Sequence, residues 1–311
     1  MDFYFCCGII VIYIKLYFYN EENMGYYKIA DIIFEIKNIN YDFFYKRMKE
    51  YELDDTPANV DVVISYEERD NIEVTHENSI ALKNNRYWVY ENNEYILYDY
   101  YEEFKKTYSY IKANNNWSIV ECVISDATNE FDVPNEVRSF NILSLVMQNV
   151  ILFHNGIVIH SSAIAYKNHG IAFFAPSGTG KSTHTRLWKQ YYDGVEIIND
   201  DSPVVRIIDG KHLMYGTPWS GKTDINLNKS VELSAIVFLR QAHENSITKI
   251  NNPIEALQVI LPEIYKPAFE EMMSLNMNML DNLLRNIPMY IMYCNISKEA
   301  VDTVKNEIIK E

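Results

Sequence analysis

The sequence predicts an α/β fold, and three observations carry that expectation. Residues 171–175 are an apolar, strand-like run that leads into a glycine-rich turn, and residues 182–191 beyond it are compatible with a helix. Phe140, Leu143, Val146 and Val150 recur at three- and four-residue spacing, which marks a helix with one buried face. From Tyr26 to about Asp132 the chain reads instead as short strands with polar turns, so a β-rich part precedes the α/β part.

Taken in order, residues 1–23 stand apart. Residues 3–19 are aromatic and apolar, interrupted by Lys15, and the polar run Asn20-Glu21-Glu22-Asn23 follows. The basic start and small-residue cleavage site of a signal peptide are missing, and Lys15 makes a membrane span of about 20 apolar residues marginal. The favoured expectation is a translation start set too far upstream, with the first domain opening at Met24; a membrane anchor is the alternative. Residues 24–132 form the expected β-rich domain, structural or substrate-docking in role. In it, residues 60–66 alternate and are β-branched, and two Tyr-rich runs flank a hairpin turn at Asn92-Asn93.

Residues 133–311 form the expected second domain. A helix over 134–154 is ended by Gly156, and residues 157–166 read as one strand. Residues 167–170 turn the chain back into the apolar run at 171–175. Residues 196–199 are a short strand closing on Asp200-Asp201, and Asp209-Gly210 joins two further strands as a hairpin. Residues 255–264 and 269–285 are helices with Met-rich apolar faces, and a last strand (288–294) and helix (298–309) close the chain. The methionine faces suit a pliable core or a peptide groove, with core favoured.

The chain carries 43 acidic against 28 basic residues, a formal net charge of -15, which argues against a nucleic-acid partner and a membrane-hugging surface. Its hydrophobic fraction of 48% can fill a core. Cys6, Cys7, Cys122 and Cys294 make no metal-type CxxC pair, and the expectation is free thiols in a cytoplasmic protein.

The chemistry concentrates at Ala175, Pro176, Ser177, Gly178, Thr179, Gly180, Lys181 and Ser182, followed by Thr183. This is the phosphate-loop pattern with alanine at the first glycine position. Gly178 and Gly180 let backbone amides converge where β-carbons would obstruct a phosphate, and the following helix adds its positive end. Lys181 can reach the outer phosphates of ATP, and Ser182 can ligate magnesium. Asp200 and Asp201, at a strand end beside the loop, suit a magnesium ligand and a general base.

These residues resemble the catalytic domain of the HPr serine kinase/phosphorylase family. There a histidine ends a strand, then come a hairpin, the phosphate loop and a strand closing on paired aspartates. Ile159-His160-Ser161-Ser162, the loop, and Ile198-Asn199-Asp200-Asp201 stand in that order here. The runs at 181–188 and 216–222 resemble a bacterial subgroup that accompanies modified-peptide clusters, including kinases of lasso-peptide precursors. The fold is shared with ATP-type phosphoenolpyruvate carboxykinase and implies a mixed sheet. The resemblance implies that His160 positions or protonates the transferred phosphate, that Asp201 is the metal-side acid and that Asp200 is the base, with their order open to exchange. Gly216-Thr217-Pro218-Trp219 replaces the family's metal-side glutamate stretch, and Lys222 is the candidate to supply charge there. The amino-terminal part does not resemble the family's sensor domain.

The expected function is an ATP- and magnesium-dependent kinase acting on a serine or threonine hydroxyl of a peptide or small protein. The alternatives are a nucleotide-dependent peptide escort without chemistry and, behind it, a carboxykinase-like enzyme. Homo-oligomerisation is left open.

Overall fold

The computed structural model describes residues 23–74, 79–81, 85–126 and 133–309. Residues 1–22, with Cys6 and Cys7, lie outside the described residues, as does the expected domain boundary near Asp132. The expected class is found: an α/β chain with mixed sheets and a β-rich amino-terminal part.

That part builds one sheet from β1 (Met24–Ile29), β2 (Ile32–Lys37), β3 (Val62–Glu68), β4 (Ile80–Ala81), β5 (Arg86–Glu91), β6 (Glu94–Tyr101), β7 (Lys106–Asn114) and β8 (Ile119–Ile124), in the order β1-β2-β3-β8-β7-β6-β5-β4. β3 runs parallel to both β2 and β8, and the other neighbours are antiparallel. Asn92 and Asn93 both adopt left-handed φ, 51° and 66°, which matches a two-residue turn to the strand twist, so the expected hairpin forms. A short helix α1 (Asp42–Met48) follows β2, and a long helix α2 (Asn135–Phe153) follows β8. α2 buries Phe140, Leu143, Val146 and Val150, the residues whose spacing predicted it.

The rest of the chain forms a second mixed sheet. Its strands are β9 (Gly156–Val158), β10 (Ser162–Tyr166), β11 (His169–Phe174), β12 (Glu196–Asn199), β13 (Val204–Ile208), β14 (Lys211–Tyr215), β15 (Ser230–Gln241), β16 (Ser246–Lys249) and β17 (Met289–Cys294). Its helices are α3 (Lys181–Tyr191), α4 (Pro253–Ile260), α5 (Glu270–Asn286) and α6 (Lys298–Ile308). β15 pairs with β14 through its first residues and with β11 and β17 through the rest, both in parallel, so it links two halves of the sheet.

Alternation along the strands sorts the core. Ala172, Phe174, Ile236 and Met289 face α4 and α5, packing with Ile260, Leu280 and Leu283. Ile171, Phe173, Ala235, Val237 and Met292 face the other way, against Leu187 and Trp188 of α3 and Val301 and Val304 of α6. The sheet is therefore covered on both faces. A third cluster joins the amino-terminal sheet to the rest: Phe34, Trp88 and Trp117 share it with Phe140, Tyr215, Trp219 and Met272.

Two local expectations are corrected. Residues 157–166 are not one strand: β9 pairs with β13 and β10 with β11 and β12, and the chain breaks between them at Ile159, His160 and Ser161. Nor does Gly156 end α2. Asn155 takes the left-handed conformation, φ 52°, and Gly156 opens β9 in close approach to Ile151, where a β-carbon would stand 2.5 Å from Cγ1.

Candidate functional site

β11 ends at Phe174, and the loop beginning at the buried Ala175 turns the chain into α3. Gly178 and Gly180 have φ of +79° and +119°, with open space where a β-carbon would stand. Gly180 precedes the first helical residue and no side chain caps α3, so its first-turn N–H groups have no side-chain acceptor. The carbonyl of Thr179 accepts the Gln241 amide at 3.0 Å, tying the loop to the end of β15.

The break between β9 and β10 forms the opposite wall. The His160 N–H donates to Glu263 O at 2.9 Å and the Ser161 N–H to Asp201 O at 3.0 Å, so the backbone of this corner is fixed. Asp200 and Asp201 follow β12. Asn199 Oδ1 accepts the N–H groups of Asp201 (2.9 Å) and Ser202 (2.7 Å), which forces the acidic pair into a tight turn.

The side chains then converge. Lys181 Nζ donates to Ala175 O at 2.7 Å and lies 3.1 Å from His160 Nε2. A charged ammonium only donates, so Nε2 accepts and the ring proton sits on Nδ1, 3.5 Å from Asp201 Oδ1. Burial pushes the Lys181 pKa down, against the pull of Glu263, Asp201 and Asp200. The Asp200 side chain is 1% exposed, and both its oxygens are engaged: Ser162 Oγ donates at 2.6 Å and Thr223 Oγ1 at 2.8 Å. Ser162 also meets Thr185 of α3 at 2.9 Å. Asp201 is more open, its side chain 35% exposed, and accepts from Ser202 Oγ at 2.9 Å.

Together these residues line a cleft of about 570 Å³. Of the residues expected from sequence, His160, Ser177, Gly178, Gly180, Lys181, Ser182, Thr183, Asp200, Asp201 and Lys222 line it. Ala175, Pro176 and Thr179 do not; Ala175 and Thr179 serve as backbone anchors of the loop. Ser220 and Thr223 line it without having been singled out. Thr223 directly follows Lys222 in the flagged run, a signal that could have found it. Arg186 of α3 is exposed but brings Nη2 within 4.0 Å of Asp200 Oδ2.

The cleft pairs main-chain donors and an ammonium with two carboxylates, a set suited to a polyphosphate and a divalent cation. Among the described residues no group of three or more His, Cys, Asp or Glu could hold a metal alone. No helix among the described residues is long and apolar enough to cross a membrane.

Among solved structures, the chain is similar to the Hpr(Ser) kinase/phosphatase from Coxiella burnetii at 11% identity, with a TM-score of 0.30, over 48% of this chain and 95% of that one. No curated protein matches the sequence. Residues 120–310, more than half the chain, match the family described as SynChlorMet cassette protein ScmC, and the chain belongs to that family.

Proposed function

We propose that this protein is an ATP- and magnesium-dependent kinase that transfers the γ-phosphate to a serine or threonine hydroxyl of a peptide or small protein. The observation that carries the reading is the convergence, in one cleft, of an uncapped helix start after two left-handed glycines, the Lys181 ammonium, His160 and two strand-end carboxylates. A phosphate loop alone specifies a nucleotide; the acidic pair facing it supplies what phosphoryl transfer adds, a metal ligand and a proton acceptor.

The roles follow from exposure and reach. The amides around Gly178 and Gly180 and the Lys181 ammonium bind the phosphates, and Ser182 with one carboxylate holds magnesium, which when bound neutralises charge on the transferred group. A general base must come within hydrogen-bond distance of the acceptor hydroxyl. Asp201 is open to the cleft whereas Asp200 is buried beneath Ser162 and Thr223, so we assign the base to Asp201 and the metal side to Asp200. This is the exchanged order that the sequence leaves open. His160, accepting from the Lys181 ammonium at Nε2 and facing Asp201 through Nδ1–H, orients that carboxylate beside the ammonium. Lys222 adds a positive charge at the rim. The run at 216–222 supports placing the acceptor among precursor peptides of modified-peptide clusters, the lasso-peptide type included.

Incubation with γ-labelled ATP, magnesium and candidate peptides tests the reading. Label on a Ser or Thr hydroxyl is expected; tight nucleotide binding without transfer sinks the kinase. A Lys181→Met protein loses a charge-assisted phosphate contact and binds ATP-magnesium about 10- to 100-fold more weakly.

A further inference from the structure

The run 216–224 forms a loop over the acidic pair, and it is held there from the amino-terminal part of the chain. Gly221 has φ +64°, and a β-carbon on it would stand 3.2 Å from Cβ, Cγ and Oδ1 of Asp201. Two residues on, Thr223 donates to Asp200 Oδ2 at 2.8 Å. Lys222, between them, lines the cleft. The loop thus lies against one aspartate, with little room for a side chain between them, and hydrogen-bonds the other.

On its far side the contacts come from α1. Arg47 Nη2 donates to Gly221 O at 2.9 Å, and Nη1 pairs with Asp224. The Arg47 side chain is only 11% exposed, and its guanidinium lies over the rings of Phe43 (5.7 Å) and Phe140 (5.4 Å). A planar, five-donor group stacked on aromatic rings and bonded at two points is fixed in position as well as charge. Its neighbours repeat the pattern. Tyr51 OH donates to Asn226 Oδ1 at 2.8 Å, Asn226 Nδ2 to Ser220 Oγ at 2.9 Å, and Trp219 Nε1 to Phe140 O at 2.9 Å.

Resting on the kinase reading, we propose that Arg47 is a positioning residue for phosphoryl transfer: from the amino-terminal part it holds the 220–224 loop so that Thr223, Gly221 and Lys222 keep Asp200 and Asp201 in register with the phosphate loop. The amino-terminal part is then a fixed wall of the active centre as well as a docking surface. The nucleotide-gripping residues 177–183 make none of these bonds, so the proposal separates two quantities. Transfer depends on Arg47; ATP affinity does not.

The test is Arg47→Ala, assayed for kcat, for the KM of ATP and for hydrogen exchange over residues 219–226. A displacement near 1 Å costs transfer about 100-fold, so kcat is expected to fall by about that factor while the KM of ATP moves by less than about threefold. Free guanidinium ion added to the variant is expected to restore part of the rate, as it would not for a general loss of structure. A folded Arg47→Ala protein with the parent kcat, or one that loses kcat and ATP affinity together, overturns the proposal. Exchange over 219–226 quickens in the variant whether or not the parent transfers phosphate. A parent without transfer therefore sinks the kinase reading, and unchanged exchange sinks this one. Should Arg47→Ala fail to fold, Asp224→Asn removes the ion pair at a half-exposed position and is expected to lower kcat about tenfold; the parent kcat in that variant overturns the proposal.

Discussion

His184 faces away from the cleft on α3, 3% exposed, with its ring 4.7 Å from Phe173 and its Nε2 buried without a partner. Burial pushes its pKa down to about 4 from an ordinary 6.5. Between those values the unfolded chain binds a proton that the folded chain refuses. The stability is therefore fully present above pH 6.5 and is lost as pH falls toward 4, by about 3 kcal/mol from this residue. Denaturant unfolding at pH 7 and pH 4.5 checks this: a His184→Leu protein should lose markedly less stability across that interval than the parent. Equal losses would mean that the ring is solvated in the folded state. The helix carrying this histidine was legible in the sequence, but that its buried stripe takes in Lys181, His184 and Thr185 beside Trp188, at i, i+3, i+4 and i+7, was not, because three of those four side chains are polar.

At the scale of elements, what the sequence declared was whatever depends on local chemistry. The hairpin turns at Asn92-Asn93 and Asp209-Gly210 formed as expected, because Asn, Asp and Gly accept the left-handed φ that such turns need. The glycine-rich turn before α3 was legible for the same reason, with Gly178 and Gly180 both at left-handed φ. The break at His160 was missed although the polar run His160-Ser161-Ser162 marks it: there the pairing passes from β13 to β11 and β12. The clamp by Arg47 was hidden, since it joins residues 174 apart in sequence. Gly216 gives an element-scale prediction. A β-carbon there would lie 2.0 Å from the Leu227 carbonyl oxygen and 2.6 Å from that of Ile198, both backbone atoms that cannot rotate away. Gly216→Ala should cost about 3 kcal/mol of stability, and the displaced loop should cut phosphoryl transfer. A variant with parent stability by denaturant titration would show that the loop relaxes freely.

Across the whole molecule, the two sheets are bound as one body. Arg206 Nη1 donates to Ala30 O at 2.6 Å, Tyr215 OH to Asp31 Oδ2 at 2.7 Å, and Tyr95 OH to Glu271 Oε2 at 3.0 Å. Beneath them one apolar cluster runs from Trp88 and Trp117 to Trp219. A ligand that binds only the folded state stabilises whatever unfolds with its site, by about 2.7 kcal/mol at one hundred times its Kd. The shared cluster extends that gain to β1–β8, which line none of the cleft. The tryptophans make the consequence visible: Trp88 lies in the amino-terminal sheet, Trp117 in its β7–β8 turn, Trp188 behind the glycine-rich loop and Trp219 at the loop over the aspartates. In a thermal melt with ATP-magnesium, emission from all four should shift in one step to the same higher midpoint. Two steps, with only the later one moved by nucleotide, would mean that the chain melts as separate halves.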